Sequence, residues 1–191
     1  AMKRLYVHDS IYDEVVDELA AIANDTIIGD GLEQGTKLGP LQNKMQYEKV
    51  KELIESARQD GNIVAGGEVP DQSGYFIRPT IVRDVMEGSR IVDEEQFGPV
   101  LPVIRFSDES DAIARANNSD YGLGGSVWSS DLDRAYDVAN QMNTGTVWIN
   151  KHAELDPGIP FGGSKQSGLG NELGIEGLKE FTQLKMINMA R

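Results

Sequence analysis

The stretch EEQFGPVLPVIRF, residues 94–106, places two carboxylates and an aromatic ring directly before a Gly-Pro pair and an apolar run. Pro99 fixes its own φ and disfavours helical geometry in the preceding residue, so we expect a turn there and a strand over 100–106. Glu95 and Phe97 then project to one side, because side chains alternate along an extended backbone. A carboxylate and a flat ring on a stiff turn suit a ligand with hydroxyls and a ring, such as a nucleoside. The alternative is an acidic turn whose phenylalanine anchors the core.

Segments with strand and helix character alternate along the rest of the chain. Strands are expected at residues 3–8, 62–65, 75–82, 100–106, 123–128, 145–150 and 184–190, and helices at 11–24, 43–59, 109–117, 131–142 and 175–182. Pro79 restricts its segment to an edge strand or a broken strand, because proline cannot donate to a strand ladder. The alternation from residue 100 onward describes βαβ units, so the sequence predicts an α/β fold with an open, largely parallel sheet flanked by helices.

The charge balance and the missing cysteines exclude several classes of function. Lys plus Arg number 18 and Asp plus Glu 31, a formal charge of −13 that repels phosphate backbones and anionic lipid. We therefore expect no nucleic-acid partner and no membrane partner. With 0 Cys, the chain has no disulfide, no thiolate metal site and no cysteine nucleophile of its own, which is typical of a cytoplasmic protein. The chain has only two histidines, His8 and His152, which disfavours a Ser-His-Asp triad or a histidine-rich metal site.

The loop PFGGSKQSGLGNELG, residues 160–174, is long and rich in glycine, which is uncommon unless a segment is functional or mobile. It fails two phosphate-loop patterns. The order Gly-Ser-Lys replaces Gly-Lys-Ser/Thr, and Leu173 stands where the dinucleotide fingerprint needs a glycine. One interpretation is a functional loop. A second is a loop packed close to the sheet, with Lys165 solvated and Glu172 capping the next helix. A third is a hydrolase site that uses Ser164 and Lys165.

The strand GTVWIN, residues 145–150, reads as buried and ends in a polar residue, Asn150. The carboxyl ends of strands are where α/β proteins build their sites. His152 lies just beyond, and a lone histidine in such a loop is more often a hydrogen-bonding residue than a catalyst. Both interpretations remain open for these two residues.

Four stretches in combination resemble the aldehyde dehydrogenase superfamily: EEQFGPVLPV at 94–103, NNSDYGLGGSVWSSD at 117–131, GTVWIN at 145–150 and PFGGSKQSGLGNELGIEGLKEF at 160–181. Their order and spacing are similar to those of the C-terminal, catalytic-domain half of the family, beginning just after the position of the catalytic cysteine. The resemblance implies a three-layer α/β/α catalytic-type domain over residues 1–183. It also implies that residues 184–191 form the C-terminal strand of an oligomerisation arm. Because the partner strands of the family lie upstream, we expect residues 184–190 either to be disordered or to pair with another copy of the chain.

The resemblance assigns roles to four residues. Glu95 matches the family glutamate that binds the nicotinamide-side ribose hydroxyls of NAD or NADP. Phe97 matches the aromatic residue beside that ribose and the nicotinamide. Phe161 matches an aromatic residue of the tunnel that admits the aldehyde substrate. Glu172 matches a glutamate behind the active site that is linked to proton relay, and it is therefore a candidate catalytic residue.

Other parts of the family machinery lie upstream of the matched stretches: the catalytic cysteine, the dinucleotide-binding domain, the general-base glutamate and the oxyanion-hole asparagine. We therefore expect the chain to be a fragment of an NAD(P)-dependent enzyme that oxidises aldehydes to carboxylic acids, inactive alone and without bound cofactor. We expect Met2 to begin the encoded product and Ala1 to be a cloning remnant, with a native alanine as the alternative. A non-catalytic association protein and one half of a split enzyme are the competing interpretations.

Overall fold

The computed structural model describes residues 2–190, so the expectation about Ala1 and the end of the expected C-terminal strand at Arg191 lie outside the described residues. The chain divides into two compact units, the first ending at Ala112 and the second beginning at Ile113. The α/β class predicted from the sequence is confirmed. Within residues 2–190, no helix is long and apolar enough to cross a membrane.

The first unit contains one four-stranded sheet and three helices. Its elements are β1 (Leu5–His8), α1 (Tyr12–Asp25), α2 (Lys44–Asp60), β2 (Asn62–Ala65), β3 (Thr80–Arg83), α3 (Arg90–Asp93) and β4 (Val100–Phe106), and α4 (Glu109–Asn117) begins within it. The strand order is β1-β4-β3-β2, with β4 parallel to β1 and β3, and β2 antiparallel to β3. The strand expected at 100–106 and the helix expected at 109–117 form at the predicted residues.

The expectation of a broken strand at Pro79 is confirmed, because β3 begins only at Thr80. The alternative of an edge strand is wrong, because β3 lies between β4 and β2. Proline is tolerated here because β3 begins only after it, and the ladder starts when the Thr80 N–H donates to the Pro99 carbonyl at 2.8 Å. The missing donor of Pro79 therefore falls outside the paired residues.

Two hydrophobic clusters pack on opposite faces of this sheet. One includes Val50 and Leu53 of α2 together with Val82 of β3. The other includes Val16 of α1 together with Ile81 of β3. Successive residues of β3 thus enter different clusters, as the alternation of strand side chains requires. The first unit consequently has α1 on one face of its sheet and α2 on the other.

The second unit is built around a βαβ element and a short antiparallel ribbon. Its elements are β5 (Tyr121–Gly122), β6 (Gly124–Val127), α5 (Leu132–Gln141), β7 (Thr146–Ile149), β8 (Ser164–Lys165) and α6 (Gly174–Lys179). Strands β6 and β7 pair in parallel across α5, as the sequence predicts, whereas β5 and β8 pair antiparallel. The expectation of one continuous sheet is therefore wrong for residues 2–190, although three of the five strand pairings there are parallel. The glycine-rich loop bends back to pair with β5, and the described strands form a mixed four-stranded sheet, an antiparallel pair and a parallel pair.

The C-terminal strand expected over 184–190 does not form in the described chain, which has no regular secondary structure there. A strand needs a hydrogen-bonded neighbour, and none of the eight described strands pairs with this segment. Its large apolar side chains are between 83% and 91% exposed: Leu184, Met186, Ile187 and Met189.

Candidate functional site

Glu95 and Phe97 sit on either side of a glutamine that points into the protein. Gln96 is only 1% exposed, whereas Phe97 is 66% exposed and Glu95 is half-buried. The Gln96 side chain uses both ends of its amide. Its Oε1 accepts a hydrogen bond from the Gly98 N–H at 2.6 Å, and its Nε2 donates to the Val100 carbonyl at 2.9 Å. The turn before β4 is therefore closed from the inside by one buried side chain.

The exposure of Phe97 contradicts the interpretation of that residue as a core anchor. Because Gln96 takes the inward position, alternation turns the residues on either side of it outward. Among residues 2–190, no hydrogen bond or ion pair occupies the Glu95 carboxylate. Its oxygens and the Phe97 ring are thus both available to a ligand at one surface.

Helix α2 holds the other side of this turn. Gln46, in its first turn, accepts a hydrogen bond from the Phe97 N–H at 3.2 Å. The α2 N-terminus is itself fixed by Asn43, whose side chain accepts from the Gln46 N–H at 2.8 Å. A β-carbon at Gly98 would lie 2.7 Å from Val50 Cγ2, so only glycine permits this close approach of turn and helix.

A cation completes the group. The Lys3 ammonium lies 5.5 Å from the centroid of the Phe97 ring, within the range of a cation–π contact. Burial lowers the pKa of the Lys3 ammonium from its ordinary value, and the negative charge of Glu95 partly opposes that shift. Lys3, Glu95 and Phe97 therefore form a compact cluster of a cation, an anion and an aromatic ring.

In the second unit the structure brings Phe161 and Glu172 directly opposite each other. The Phe161 N–H donates to the Glu172 carbonyl at 2.8 Å, and the Glu172 N–H donates back to the Phe161 carbonyl at 2.7 Å. Directly opposed residues of an antiparallel pair have their side chains on one face, with Cβ atoms about 5 Å apart. The Phe161 ring also stacks at 34° against buried Trp148, with centroids 6.4 Å apart. The two residues are thus fixed as neighbours by their backbones.

The interpretation of Glu172 as a helix cap is wrong. Leu173 occupies the position before α6, and no side chain caps that helix. The reason is the bridge to Phe161, which commits the Glu172 backbone to an extended partner rather than to the helix.

Lys165 is exposed, as a solvated lysine would be, but its ammonium also has hydrogen-bond partners within the chain. Its ammonium donates to the carbonyls of Asn117 at 2.7 Å and Ser119 at 2.9 Å, at the C-terminal end of α4 where carbonyls lack helical partners. The Ser164 hydroxyl donates to the carbonyls of Gly122 and Asn143. A serine nucleophile needs a general base beside its hydroxyl. Backbone carbonyls are not bases, so the geometry does not support the hydrolase interpretation.

Asn150 and His152 have structural contacts. Asn150 has a φ of 54°, and its amide both accepts from the Ser129 N–H at 2.9 Å and donates to the Ser129 carbonyl at 2.8 Å. His152 Nδ1 lies 3.0 Å from the Ser126 hydroxyl, and its ring meets the Trp148 ring edge to face. Both residues fasten the ends of β6 and β7.

The sequence interpretation missed Gln96, Gln46 and Lys3. The signal for Gln96 was present, because a strand-like segment that turns residues 95 and 97 outward must turn residue 96 inward. Lys3 and Gln46 come from segments 94 and 51 residues away from Phe97, a proximity that only folding creates. Among residues 2–190, no group of three or more His, Cys, Asp or Glu side chains is placed to hold a metal ion.

The fold and these motifs define the class of protein: the chain belongs to the aldehyde dehydrogenase family, whose family model matches residues 1–187. It is 40% identical over 193 residues to phenylacetaldehyde dehydrogenase of Pseudomonas fluorescens, covering 100% of this chain and 38% of that protein. It is 44% identical over 188 residues to the succinate-semialdehyde dehydrogenase (NADP(+)) of Deinococcus radiodurans, covering 98% of this chain and 39% of that protein.

Solved structures show the same relationship. An NAD+ complex of aldehyde dehydrogenase from Bacillus cereus superposes with a TM-score of 0.92 at 43% identity, covering 96% of this chain and 38% of that chain. A betaine aldehyde dehydrogenase from Staphylococcus aureus in complex with NAD+ gives a TM-score of 0.89 at 38% identity, with coverage of 94% and 37%. The chain therefore spans less than two fifths of the length of these relatives.

Proposed function

We propose that these residues are part of an NAD(P)-dependent aldehyde dehydrogenase, an enzyme that oxidises an aldehyde to a carboxylic acid. In this proposal the chain supplies the cofactor's ribose contact through Glu95 and Phe97, and part of the substrate tunnel wall through Phe161. The cysteine nucleophile, the general base and the dinucleotide-binding domain come from protein outside these residues. The chain then corresponds to the catalytic-domain portion that follows the nucleophile.

The observation that carries the proposal is the geometry of the turn before β4. The Glu95 carboxylate has no hydrogen-bond or ion-pair partner among residues 2–190, and it stands beside the exposed ring of Phe97 on a rigid turn. Two carboxylate oxygens accept the hydroxyls of a ribose diol, and an aromatic face suits the flat ring next to it. When the cofactor is bound, its nicotinamide supplies the hydride acceptor.

Glu172 fits a relay role in the same proposal. It is exposed, and the backbone bridge fixes it beside Phe161, the tunnel residue. A carboxylate held next to the tunnel wall can accept a proton at Oε and pass it to water without moving the backbone. Glu172 is therefore the catalytic candidate that this chain contributes.

The C-terminal segment, residues 184–190, supports a proposal about oligomerisation. Leu184, Met186, Ile187 and Met189 are exposed and lack a strand partner in the described chain. Exposed apolar edges seek partners, so we propose that residues 184–191 become the strand of an oligomerisation arm in a homo-oligomer, which completes a three-layer α/β/α catalytic domain. The proposed location is the cytoplasm.

Turnover assays test the proposal in two arms. The first uses the 191-residue chain with NAD+ or NADP+ and a broad panel of aldehydes, and we expect no NAD(P)H. The second uses a joined enzyme, in which this chain replaces the matched 38% of the Bacillus cereus relative, and we expect aldehyde-dependent NAD(P)H. The joined enzyme with its nucleophilic cysteine replaced by alanine is the control.

Two results would contradict the proposal. One is NAD(P)H production that follows the isolated chain through successive purification steps, because the chain would then contain its own nucleophile. The other is a joined enzyme that folds, binds the cofactor at its dinucleotide domain and still forms no NAD(P)H.

A further inference from the structure

Gln96 is an unusual residue for its position. It is one of two buried polar residues in the described part of the chain, and at 1% exposure it ranks among the largest fully buried side chains. A buried amide is tolerated only where both of its ends find partners. Here Oε1 and Nε2 are both satisfied, by backbone groups two and four residues further along the chain.

The two hydrogen bonds span the Gly98-Pro99 turn. The bond to the Gly98 N–H fixes the start of the turn, and the bond to the Val100 carbonyl fixes its end at the first residue of β4. The residues between Gln96 and Val100 cannot rotate without breaking one of them. The directions of Glu95 and Phe97 are consequently set by a side chain that neither faces solvent nor reaches a ligand.

We infer that Gln96 is a positioning residue, whose buried amide aims Glu95 and Phe97 at the ribose of the cofactor. This inference rests on the proposed function, because Gln96 acts only through the two residues that would touch the cofactor. It predicts a defect in cofactor binding, with the handling of the aldehyde preserved.

Exchange of the Gly98 amide hydrogen tests the hold on the turn in the 191-residue chain itself. Methionine is similar in length to glutamine but lacks both hydrogen-bonding groups. We therefore expect the Gly98 amide hydrogen to exchange at least about tenfold faster in Gln96→Met than in the wild type. Gln59→Met makes the same chemical change at an exposed position on α2 and should leave Gly98 exchange unchanged. Equal exchange in all three proteins would overturn the inference.

Kinetics of the joined enzyme test the effect on the cofactor. We expect Gln96→Met to raise the KM for NAD(P)+ about fivefold to tenfold, while kcat and the KM for the aldehyde stay within about twofold. A mutant cycle against the combined change Glu95→Gln/Phe97→Ala separates positioning from general destabilisation. If Gln96 acts through these two residues, Gln96→Met adds less than about twofold in that background. Full multiplication of the two effects would overturn the inference.

The variant Gln96→Glu is a control for the case in which Gln96→Met simply misfolds. A protonated glutamic acid has one donor and one acceptor in the shape of glutamine, and burial raises the pKa of a carboxyl group. The KM for NAD(P)+ of Gln96→Glu should therefore fall towards the wild-type value as the pH is lowered, whereas Gln96→Met shows no such recovery. Parallel pH profiles for the two variants would contradict the inference.

A different result would contradict the proposed function. If Glu95→Gln leaves the KM for NAD(P)+ unchanged, Glu95 is not the ribose contact and the proposed site is wrong. If Glu95→Gln raises that KM and Gln96→Met does not, the site stands and the inference about Gln96 alone is overturned.

Discussion

Phe161 and Glu172 exchange two backbone hydrogen bonds, of 2.8 and 2.7 Å, across an isolated antiparallel bridge. The intervening chain is rich in glycine and is itself held by the antiparallel pairing of β8 with β5. The close approach continues next to the bridge, where a β-carbon at Gly145 would lie 1.7 Å from the Gly162 carbonyl oxygen. The residues that the sequence offers as a tunnel wall and a proton relay are thus neighbours through a backbone bridge that lies beside tightly packed glycines.

Gly145→Ala should disrupt this packing. The added methyl group meets backbone atoms, which cannot rotate away as a side chain does, so we expect a loss of about 3 kcal/mol or more in the free energy of unfolding. Gly31→Ala is the matched control, because a β-carbon at Gly31 meets nothing within 4 Å. Urea unfolding followed by tryptophan fluorescence, which reports on nearby Trp148, measures the loss in unfolding free energy of Gly145→Ala. Equal stability of Gly145→Ala and wild type would contradict the described approach of Gly162.

Lys165→Met should loosen the end of α4. The variant loses two charge-assisted hydrogen bonds to the carbonyls of Asn117 and Ser119, and because the lysine is exposed we expect a loss of only about 1 kcal/mol. Lys179→Met removes an exposed i,i+3 ion pair with Glu176 and should change stability by less than about 0.5 kcal/mol. Thermal unfolding of the two variants compares them directly, and a larger loss in Lys179→Met would be inconsistent with the capping role.

Asp13 should give the chain an acid-sensitive contribution to stability. The Arg83 guanidinium, followed by Arg105, holds the pKa of the Asp13 carboxyl below its ordinary value of 3.8. A carboxyl group whose pKa is lower in the folded state stabilises it above the ordinary pKa and loses that effect as the pH falls through the folded-state pKa. The difference in unfolding free energy between wild type and Asp13→Asn should therefore be constant above about pH 5 and shrink below pH 3.8.

Urea titrations at each pH measure that difference. Asp17→Asn, another exposed carboxylate on α1, is the control variant. A difference between wild type and Asp13→Asn that grows on acidification would have the wrong sign for an ion pair with Arg83.

Lys3 should report the charge of Glu95. Burial lowers the pKa of the Lys3 ammonium and Glu95 opposes it, so Glu95→Gln leaves the effect of burial unopposed and should lower that pKa further. Glu94→Gln is the neighbouring control, because Glu94 pairs with Arg90 instead. Carbon-13 NMR titration of the Lys3 side chain measures the shift. A higher Lys3 pKa in Glu95→Gln would show that the two side chains are not coupled as described.

The sequence predicted the helices that begin at a capping side chain nearby in the chain. Asp131 begins α5 by accepting a hydrogen bond from the Arg134 N–H, and Asp108 does the same for Asp111 at the start of α4. Helix α1 differs, because no side chain accepts a hydrogen bond at its N-terminus. The His8 side chain instead accepts from the Ser10 N–H at the start of a short 3₁₀ turn, Asp9–Ile11, that precedes α1.

Long-range contacts account for what the sequence did not reveal. Nothing near Lys165 in the sequence indicates that its ammonium lies 2.7 Å from the Asn117 carbonyl, 48 residues earlier. Likewise β5 and β8 pair antiparallel although the sequence around them suggested parallel units. For the candidate site, motifs identified Glu95 and Phe97, but their support by Gln46 became visible only when α2 was placed against the turn.

The KM for NAD(P)+ of Glu95→Gln in the joined enzyme tests the central claim most directly. If Glu95 accepts the ribose hydroxyls, losing the charged acceptor should raise that KM about tenfold, while the KM for the aldehyde stays within about twofold. Glu94→Gln, one residue away and paired with Arg90, should behave as the unmodified joined enzyme. An unchanged KM for NAD(P)+ in Glu95→Gln, with normal folding and turnover, would contradict the account.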